Sequence, residues 1–269
     1  MKKTLMTIAA LLVAAGMVMV SCQKPAAPKD DNALIDDNTP GDNTGDNTGD
    51  NTGDNTGDNT GDKTPASLKG SNYYPLIMDA ETFEIIKNKV VADIRPDDVN
   101  KFLYIWSDGN CYAGATATGL NFYGVAGEYT ALTVGNVGWS GAGFNLKSGM
   151  DNYDKIAGLN EKGFVFHIAY KGAAGVPHGC YVTWNNKIYP FVLGEGNYEV
   201  EGNNLPAAKP INNDGKFVAN EWNEYEFSMD DSGIDFSTEG VADSNIFCFL
   251  SGGTAGTALN LDAAFFYKK

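Results

Sequence analysis

The chain has few histidines and cysteines, which build many catalytic and metal centres, and few positively charged residues. It has two histidines, four cysteines, and 19 Lys and Arg against 34 Asp and Glu. His178 opens the tripeptide HGC, and His-x-Cys alone falls short of the ligands that a zinc ion needs. The net charge of −15 argues against nucleic acid as a partner, because phosphates require a basic surface.

Familiar catalytic motifs are missing as well. The stretch GWSGAG (138–143) has Ala142 where a nucleophile elbow needs glycine, and SGGTAGT (251–257) lacks the lysine of a phosphate-binding loop. His167 alternates with apolar residues along a predicted strand, so we expect it to be structural. We therefore expect a protein that is not an enzyme. A glycoside hydrolase stays the least favoured alternative, since its carboxylate pair leaves no fixed spacing in a sequence.

Aromatic residues are absent from Cys22 to about Leu68, and all of them follow Lys69. Five copies of GDNT fill residues 41–60. Asp recurs there every four residues, unlike the alternate positions of a calcium loop, and Asn-Thr-Gly does not match the Asn-x-Ser/Thr acceptor of glycans. Such a segment buries too little apolar surface to fold. We predict an acidic, disordered linker over 22–68 and one folded domain over 69–269.

The first 21 residues resemble the signal peptide of a bacterial lipoprotein. Two lysines precede an apolar run over residues 4–20, and VSC at 20–22 is similar to a lipobox, although Met19 replaces the usual leucine. A membrane-spanning helix is the rival interpretation, but no basic stop-transfer cluster follows. The resemblance implies that Cys22 becomes an acylated N-terminus that holds the protein on a membrane.

Three further cysteines remain: Cys111, Cys180 and Cys248. Two of them lie among strand-like residues, and an odd count leaves at least one thiol without an internal partner. We expect small buried hydrophobic residues. One disulfide is an open alternative in an oxidising compartment, and the sequence does not choose its pair.

Residues after 69 alternate with the period of β-strands. Phe164, Phe166, Ile168 and Tyr170 should face one way along KGFVFHIAYKG, with Val165, His167 and Ala169 on the other. GCYVTWNNKIYPFVLG (179–194) predicts a hairpin turning at Asn185-Asn186, whose Pro190 favours an edge position. DAETFEIIKNKV (79–90) is a short helix candidate that also fits a turn and strand. Many short strands imply an all-β fold, a single two-sheet β-sandwich.

The closing stretch LNLDAAFFYK (259–268) resembles the last strand of galactose-binding-like jelly rolls, which occur in many carbohydrate-binding modules. Lipobox, acidic linker and jelly roll together are similar to Bacteroidetes surface lipoproteins. The resemblance implies a non-catalytic, lipid-anchored protein on the outer membrane, on the cell surface, that binds a polysaccharide or glycan. The alternative is an adhesin or an accessory subunit that binds outer-membrane transport or adhesion proteins.

Sugar rings bind to exposed aromatic faces while amides and carboxylates bond their hydroxyls. Aromatics that border Gly, Asn and Asp are therefore the candidates, whereas Trp106 aligns with Phe102 and Tyr104 and is expected in the core. The predicted ligand-binding residues are Trp139, Trp184, Tyr112, Tyr123, Asn121 and Asn185.

The resemblance also implies a structural Ca²⁺ that joins the last strand to an early loop. Asp262 lies in an otherwise apolar strand, and Asp79 or Glu81 would add the further oxygen ligands that calcium prefers. The alternative is a solvated face of the last strand, with Asn260 and Asp262 in water.

Overall fold

β-Strands account for most of the regular structure in the described part of the chain. The structure, a computed structural model, describes residues 63–106, 115–124, 126–135, 140–250 and 255–269. These residues belong to one compact unit, Asn59–Lys269. The predictions for the signal peptide, Cys22, the GDNT linker, Cys111, Tyr112 and Trp139 lie outside the described residues.

Thirteen strands and one α-helix are found there, with four short 3₁₀ turns. The strands are β1 Ser71–Ile77, β2 Lys101–Ile105, β3 Ala115–Leu120, β4 Ala126–Thr133, β5 Gly141–Lys147, β6 Phe164–Lys171, β7 His178–Trp184, β8 Lys187–Leu193, β9 Asn197–Val200, β10 Asn203–Pro206, β11 Asn223–Ser228, β12 Asp243–Leu250 and β13 Ala258–Lys268. The helix is α1 Ala80–Ile86, and the turns are Ala66–Leu68, Lys87–Lys89, Tyr153–Asn160 and Asn213–Gly215.

The strands form two main antiparallel sheets. The six-stranded sheet has the order β11-β6-β13-β4-β3, with β1 also paired to β13. The five-stranded sheet has the order β2-β5-β12-β7-β8, and β9 and β10 form a separate hairpin. From β4 to β7 and from β11 to β13 the chain alternates between the two sheets, which is the connectivity of a jelly roll. The predicted all-β sandwich is confirmed.

The main core lies between the two sheets and is rich in aromatic rings. Phe166 on β6 contacts Phe247 on β12 and Phe266 on β13, with ring centroids 5.2 and 4.7 Å apart. Phe164, Phe166, Ile168 and Tyr170 are all buried on this face, as the alternation predicts. Such packing removes a large apolar area from water, the main favourable term in folding.

A second buried layer covers the outer face of the six-stranded sheet. Tyr73 of β1 stacks on Tyr267 of β13, and its hydroxyl donates to the carbonyl of Ser67 at 3.0 Å. Leu68 and Ile86 complete this layer, each with 2% or less of its surface exposed. The turn Ala66–Leu68 and helix α1 therefore cover this face of the sheet, and the buried packing begins upstream of residue 69.

Strand β13 changes partner along one of its edges. Its first half pairs with β4, where Leu261 lies opposite Thr130, and its second half pairs with β1, where Ala264 lies opposite Ile77. The register against β6 also shifts between Asp262 and Phe265, which marks a bulge. Ala263 adopts φ 45° at this point, a conformation that is uncommon for residues other than glycine.

Several local predictions from the sequence are confirmed. Asn185 and Asn186, at φ 45° and 63°, form the two-residue turn between β7 and β8, as the twist of a hairpin requires. Pro190 lies on β8, at an edge of its sheet. The helix candidate forms α1, whose first turn is capped by the Asp79 carboxylate accepting from the Thr82 N–H at 2.9 Å.

The side chains of Trp106, Cys180 and Cys248 do not all point to the same face of the five-stranded sheet. Trp106 was expected in the core, but it packs half-buried on the outer face of the five-stranded sheet, while Leu103 and Ile105 pack against the main core. Cys180 and Cys248 are buried free thiols. They point to opposite faces of adjacent strands, in the main core and the outer cluster respectively, so no disulfide joins them.

Candidate functional site

An open cleft of about 930 Å³ lies where β13 changes partner. The end of β1, the start of α1, the loop over residues 93–98 and parts of β2, β4 and β5 form its walls. Its lining residues are Leu76, Ile77, Met78, Asp79, Ala80, Glu81, Asp93, Arg95, Pro96, Asp97, Asp98, Lys101, Leu103, Tyr129, Thr130 and Phe144. The cleft therefore combines an apolar floor with a strongly polar rim.

The two basic side chains of the cleft are each held by a carboxylate. Arg95 donates from Nε to Asp93 Oδ1 at 3.0 Å and from Nη2 to Asp93 Oδ2 at 2.8 Å, a bidentate pair. The Arg95 guanidinium also lies 3.8 Å from the centre of the Phe83 ring. Lys101 Nζ lies 3.2 Å from Asp97 Oδ2. Both positive charges are thus compensated within the loop.

Asp97 also organises the backbone of this loop. Its Oδ1 accepts from the backbone N–H groups of Val99, Asn100 and Lys101 at 2.9 to 3.0 Å. Partial burial acts to raise the pKa of Asp97, but these hydrogen bonds and Lys101 outweigh it and lower the pKa to about 2. The loop is therefore built around an ionised carboxylate.

Two carboxylates of the cleft keep their charge uncompensated within the described part of the chain. Glu81 on α1 and Asp98 in the loop are both exposed, and neither forms an ion pair with a described residue. With five acidic and two basic residues lining it, the cleft carries a net negative charge.

Tyr129 of β4 lines the cleft, and its ring contacts a second ring. The Trp222 ring meets Tyr129 edge-on at 5.8 Å between centroids. Lys171 Nζ lies 4.7 Å from the Trp222 ring centre and 5.5 Å from that of Tyr129, within the range of cation–π attraction. Both rings are half-buried, so part of each remains available to a ligand.

A buried polar cluster of Asp79, Asn121 and Asp262 forms at the partner change of β13. Asn121 Nδ2 donates to Asp79 Oδ2 at 2.6 Å. Asp262 accepts from the N–H of Phe122 at 3.0 Å and from that of Ala263 at 2.6 Å. The solvated alternative for Asp262 is wrong, because only 1% of its surface is exposed.

Burial raises the pKa of Asp262 to about 6, and the negative charge of nearby Asp79 adds to the effect. Of the three carboxylates predicted as calcium ligands, Asp262 and Asp79 thus lie close enough to repel each other, whereas Glu81 is exposed on the cleft rim. Their oxygens suit a hard cation, but each already accepts an N–H hydrogen bond. Among the described residues, no group of three His, Cys, Asp or Glu side chains is arranged to hold a metal.

The structure corrects two of the predicted sugar-binding residues. Trp184 has no exposed surface, packs between Tyr153 and Phe236, and donates from Nε1 to the Ser237 carbonyl at 2.8 Å. It is a core residue with no free ring face. Asn121 is 1% exposed and its amide is committed to Asp79, so it supports the fold rather than a ligand.

Tyr123 and Asn185 are not among the residues that line the cleft. Tyr123 is half-buried, packs against Phe122 at 4.7 Å between ring centroids, and has a hydroxyl 3.3 Å from Ser67 Oγ. Its burial raises the pKa of its hydroxyl well above the usual value. Asn185 is exposed at the β7–β8 turn, and its role in binding a ligand stays a prediction.

Sequence reasoning missed Asp93, Arg95, Lys101 and Tyr129 in the cleft. The run DIRPDD (93–98) has the composition of a solvated loop, and its ion pairs depend on the turn that Asp97 caps. A charged run beside a proline and directly before a strand was the available signal. Tyr129 gives no such signal, because its contacts with Trp222 and Lys171 join distant parts of the chain.

His167 has a buried setting outside the cleft. It is fully buried, stacks on Phe265 at 4.8 Å, and lies 3.5 and 3.8 Å from the carboxylates of Glu226 and Glu224. Burial acts to raise the pKa of Glu226, but nearby His167, the ion pair with Lys269 and the hydrogen bond from the Tyr267 hydroxyl lower it to about 2. This cluster ties β6, β11 and β13 together, in keeping with the predicted structural role of His167.

The described residues include no helix that is both long enough and apolar enough to cross a membrane.

Comparison of the sequence with models of protein families gives no match, and comparison with curated proteins gives none. Among solved structures the chain is similar to one described as "CBM4 structure and function", at 17% identity over 65% of this chain and 94% of that one, with a TM-score of 0.34. It is similar to SGBP-B from a complex xyloglucan utilization locus in Bacteroides uniformis, at 11% identity over 62% and 47%, with a TM-score of 0.37. A family 11 carbohydrate-binding module from Clostridium thermocellum, in complex with a mixed-linked tetrasaccharide, matches at 7% identity over 74% and 96%, with a TM-score of 0.37. At TM-scores below 0.5 these likenesses carry no argument about function.

Proposed function

We propose that this protein binds a polysaccharide or glycan in the cleft and does not cleave it. The observation that carries the proposal is the cleft itself: it is open, about 930 Å³ in volume, and joins an apolar floor and the Tyr129 ring to a rim of carboxylates and loop ion pairs. Flat rings match the apolar faces of sugars, and fixed charged groups match their hydroxyls.

The non-catalytic part of the proposal rests on the state of the carboxylates. A general acid for glycoside hydrolysis needs a raised pKa. Two carboxyl groups with raised pKa values, Asp262 and Glu224, do not line the cleft. Within it, Asp93 and Asp97 are engaged with Arg95 and Lys101, and Asp79 accepts from Thr82 and Asn121. The remaining two, Glu81 and Asp98, are exposed to water on the rim.

Calorimetry with the chain from residue 23 onward, against plant, host and microbial polysaccharides, tests this function. We expect at least one polysaccharide to bind, and Tyr129→Ala to weaken binding roughly 3- to 10-fold, as the loss of an aromatic contact does. Tyr198→Ala is the matched control, because Tyr198 is half-buried on β9, outside the cleft. The proposal fails if no polysaccharide binds, or if both variants bind equally well.

A protein partner is the alternative outcome of the same work. Crosslinking on intact cells, followed by pull-down, would then recover an outer-membrane transport or adhesion protein while calorimetry finds no glycan. Recovery that survives Tyr129→Ala would place the partner's contact away from the cleft.

We also propose that Cys22 carries lipid and holds the domain at the outer membrane, on the cell surface. The VSC motif and the apolar run before it support this anchor. Cys22→Ala should release the protein into the soluble fraction after cell lysis, and protease added to intact cells should degrade the wild-type domain. Retention of the variant in the membrane fraction would contradict the lipid anchor.

A structural Ca²⁺ at Asp79 and Asp262 is a further proposal, supported by the repulsion between these two carboxylates. A divalent cation would neutralise that repulsion and bind the folded state only, which stabilises it. Millimolar Ca²⁺ should therefore raise Tm relative to a chelator, and Asp262→Asn should abolish the difference. An unchanged Tm in the wild type would rule the ion out.

A further inference from the structure

We infer that the cleft selects glycans that carry free, protonated amino groups and disfavours uronate and sulfated glycans. This inference rests on the proposed glycan-binding function and names the chemical class of its ligand. It follows from the distribution of charge among the residues that line the cleft.

An anionic sugar needs a positive group that is free to pair with it. The two basic residues lining the cleft are Arg95 and Lys101. One bidentate edge of Arg95 is used, since Nε and Nη2 donate to Asp93, and its flat face rests on Phe83. Lys101 pairs with Asp97 and donates to the carbonyl of Asp93 at 3.2 Å. A uronate or sulfate would therefore meet two positive charges that carboxylates of the loop already compensate, within a cleft of net negative charge.

A cationic sugar meets the opposite situation. Glu81 and Asp98 lie on the cleft, are exposed, and have no cationic partner among the described residues. Asp79 adds a third charge from the wall, where only 8% of its surface is exposed. A low-dielectric apolar floor behind these groups strengthens their attraction for a cation.

Tyr129 offers the same stacking contact to every glycan, charged or neutral. The cation–π contact of its ring is already made by Lys171, 5.5 Å from the ring centre. The selectivity therefore depends on the carboxylates and not on this ring. Neutral glycans keep the stacking contact but lose the ionic one.

The experiment compares glycans of positive, zero and negative charge. A glucosamine oligomer and its fully N-acetylated form have the same linkage, and an oligouronate serves as the anionic ligand. Calorimetry uses the chain from residue 23 onward, at about pH 5, where sugar amino groups are protonated and ordinary carboxyl groups are ionised, and at about 20 and about 500 mM salt, where screening is weak and strong. We expect the amine form to bind roughly 3- to 10-fold more tightly than the acetylated form at low salt, and the uronate to bind most weakly.

Variants locate the effect in the cleft. Glu81→Gln and Asp98→Asn should each reduce the preference for the amine about 1.5- to 5-fold, the range of an exposed ion pair, because each change weakens binding of the amine form more than that of the acetylated form. Asn tolerates the φ of 60° at position 98, so the second change keeps the loop. Glu84→Gln is the matched control, because Glu84 is exposed on the same helix, pairs with Lys87 and does not line the cleft.

The outcomes separate this inference from the function on which it rests. Equal affinity for the amine and acetylated forms, a preference that persists when Glu81→Gln and Asp98→Asn are combined in one variant, or tighter binding of the uronate would overturn the charge selectivity while leaving glycan binding intact. If no glycan of any charge binds, the proposed function fails and the inference fails with it.

Discussion

The buried carboxylate of Asp262 should make stability fall as pH rises through the mildly acidic range. Its pKa is about 6 in the folded protein and 3.8 as the ordinary value. Because the folded state binds this proton more tightly, the contribution of Asp262 is most favourable below about pH 4. It is lost as pH rises through 6. At 1.36 kcal/mol per pH unit the loss approaches about 3 kcal/mol.

The assay is urea unfolding of the wild type and of Asp262→Asn at intervals from about pH 4 to about pH 7.5, with a chelator present. Glu224 also has a raised pKa, from burial and from Glu226, so the wild-type curve alone mixes two groups. The difference between the two curves isolates Asp262. We expect it to change by about 3 kcal/mol across this range, the variant gaining on the wild type as pH rises.

A constant difference between the curves would refute the reasoning. The asparagine loses one acceptor for the N–H groups of Phe122 and Ala263, which costs stability at every pH and moves the curve without changing its slope. Asp231→Asn, at an exposed position, is the control and should run parallel to the wild type. A slope in that control would show that the effect is one of total charge.

Two further predictions concern the core and the bulge. Trp184→Ala should lower the free energy of unfolding by about 3–5 kcal/mol, because the indole is fully buried and hydrogen-bonded to Ser237. The affinity of the folded fraction for the proposed glycan ligand should not change, and weaker binding would show that Trp184 belongs to the binding site. Ala263→Gly should be within about 0.5 kcal/mol of neutral, because relief of the positive φ offsets the lost methyl group and the gained chain entropy. Ala264 is equally buried but lies outside the positive-φ region, so Ala264→Gly should lower the free energy of unfolding by about 1.5 kcal/mol. Equal losses of unfolding free energy in the two variants, measured by denaturant unfolding, would contradict the strain argument.

Alternation in the sequence predicts the strands well but not which face is buried. On β6 the large rings of Phe164 and Phe166 contrast with Val165 and His167, and the larger set faces the main core. On β2 both sets are apolar, so the period alone does not decide, and Trp106 lies on the outer face instead. The choice depends on where the opposite sheet lies, which is a long-range property of the fold.

The second buried layer explains why polar residues near the site were misjudged. Asn121 follows β3 and borders aromatic residues, which is the pattern expected of an exposed binding loop. In the folded chain the turn Ala66–Leu68 and helix α1 cover the outer face of the six-stranded sheet. Asn121 lies beneath this cover and donates to Asp79, the aspartate that caps α1. Nothing in the local sequence of residues 120–124 reports that cover, because Ser67 and Tyr73 come from far upstream.

The cleft and the buried cluster have one structural origin in the short pattern LDA. Leu261 is the last residue of β13 to pair with β4 and Ala264 the first to pair with β1, so Asp262 and Ala263 occupy the interval between two partners. A continuous partner strand would close that interval. Instead Ile77 at the end of β1, Asp79 at the start of α1, and Tyr129 and Thr130 of β4 line the cleft. A buried N–H must find an acceptor, and the Asp262 carboxylate accepts from the N–H of Ala263 in this interval and from that of Phe122 in the β3–β4 loop. Asp262 thus joins the bulge of β13 to that loop beside the cleft, and calorimetry should show that Asp262→Asn weakens binding of the proposed glycan ligand although Asp262 does not line the cleft.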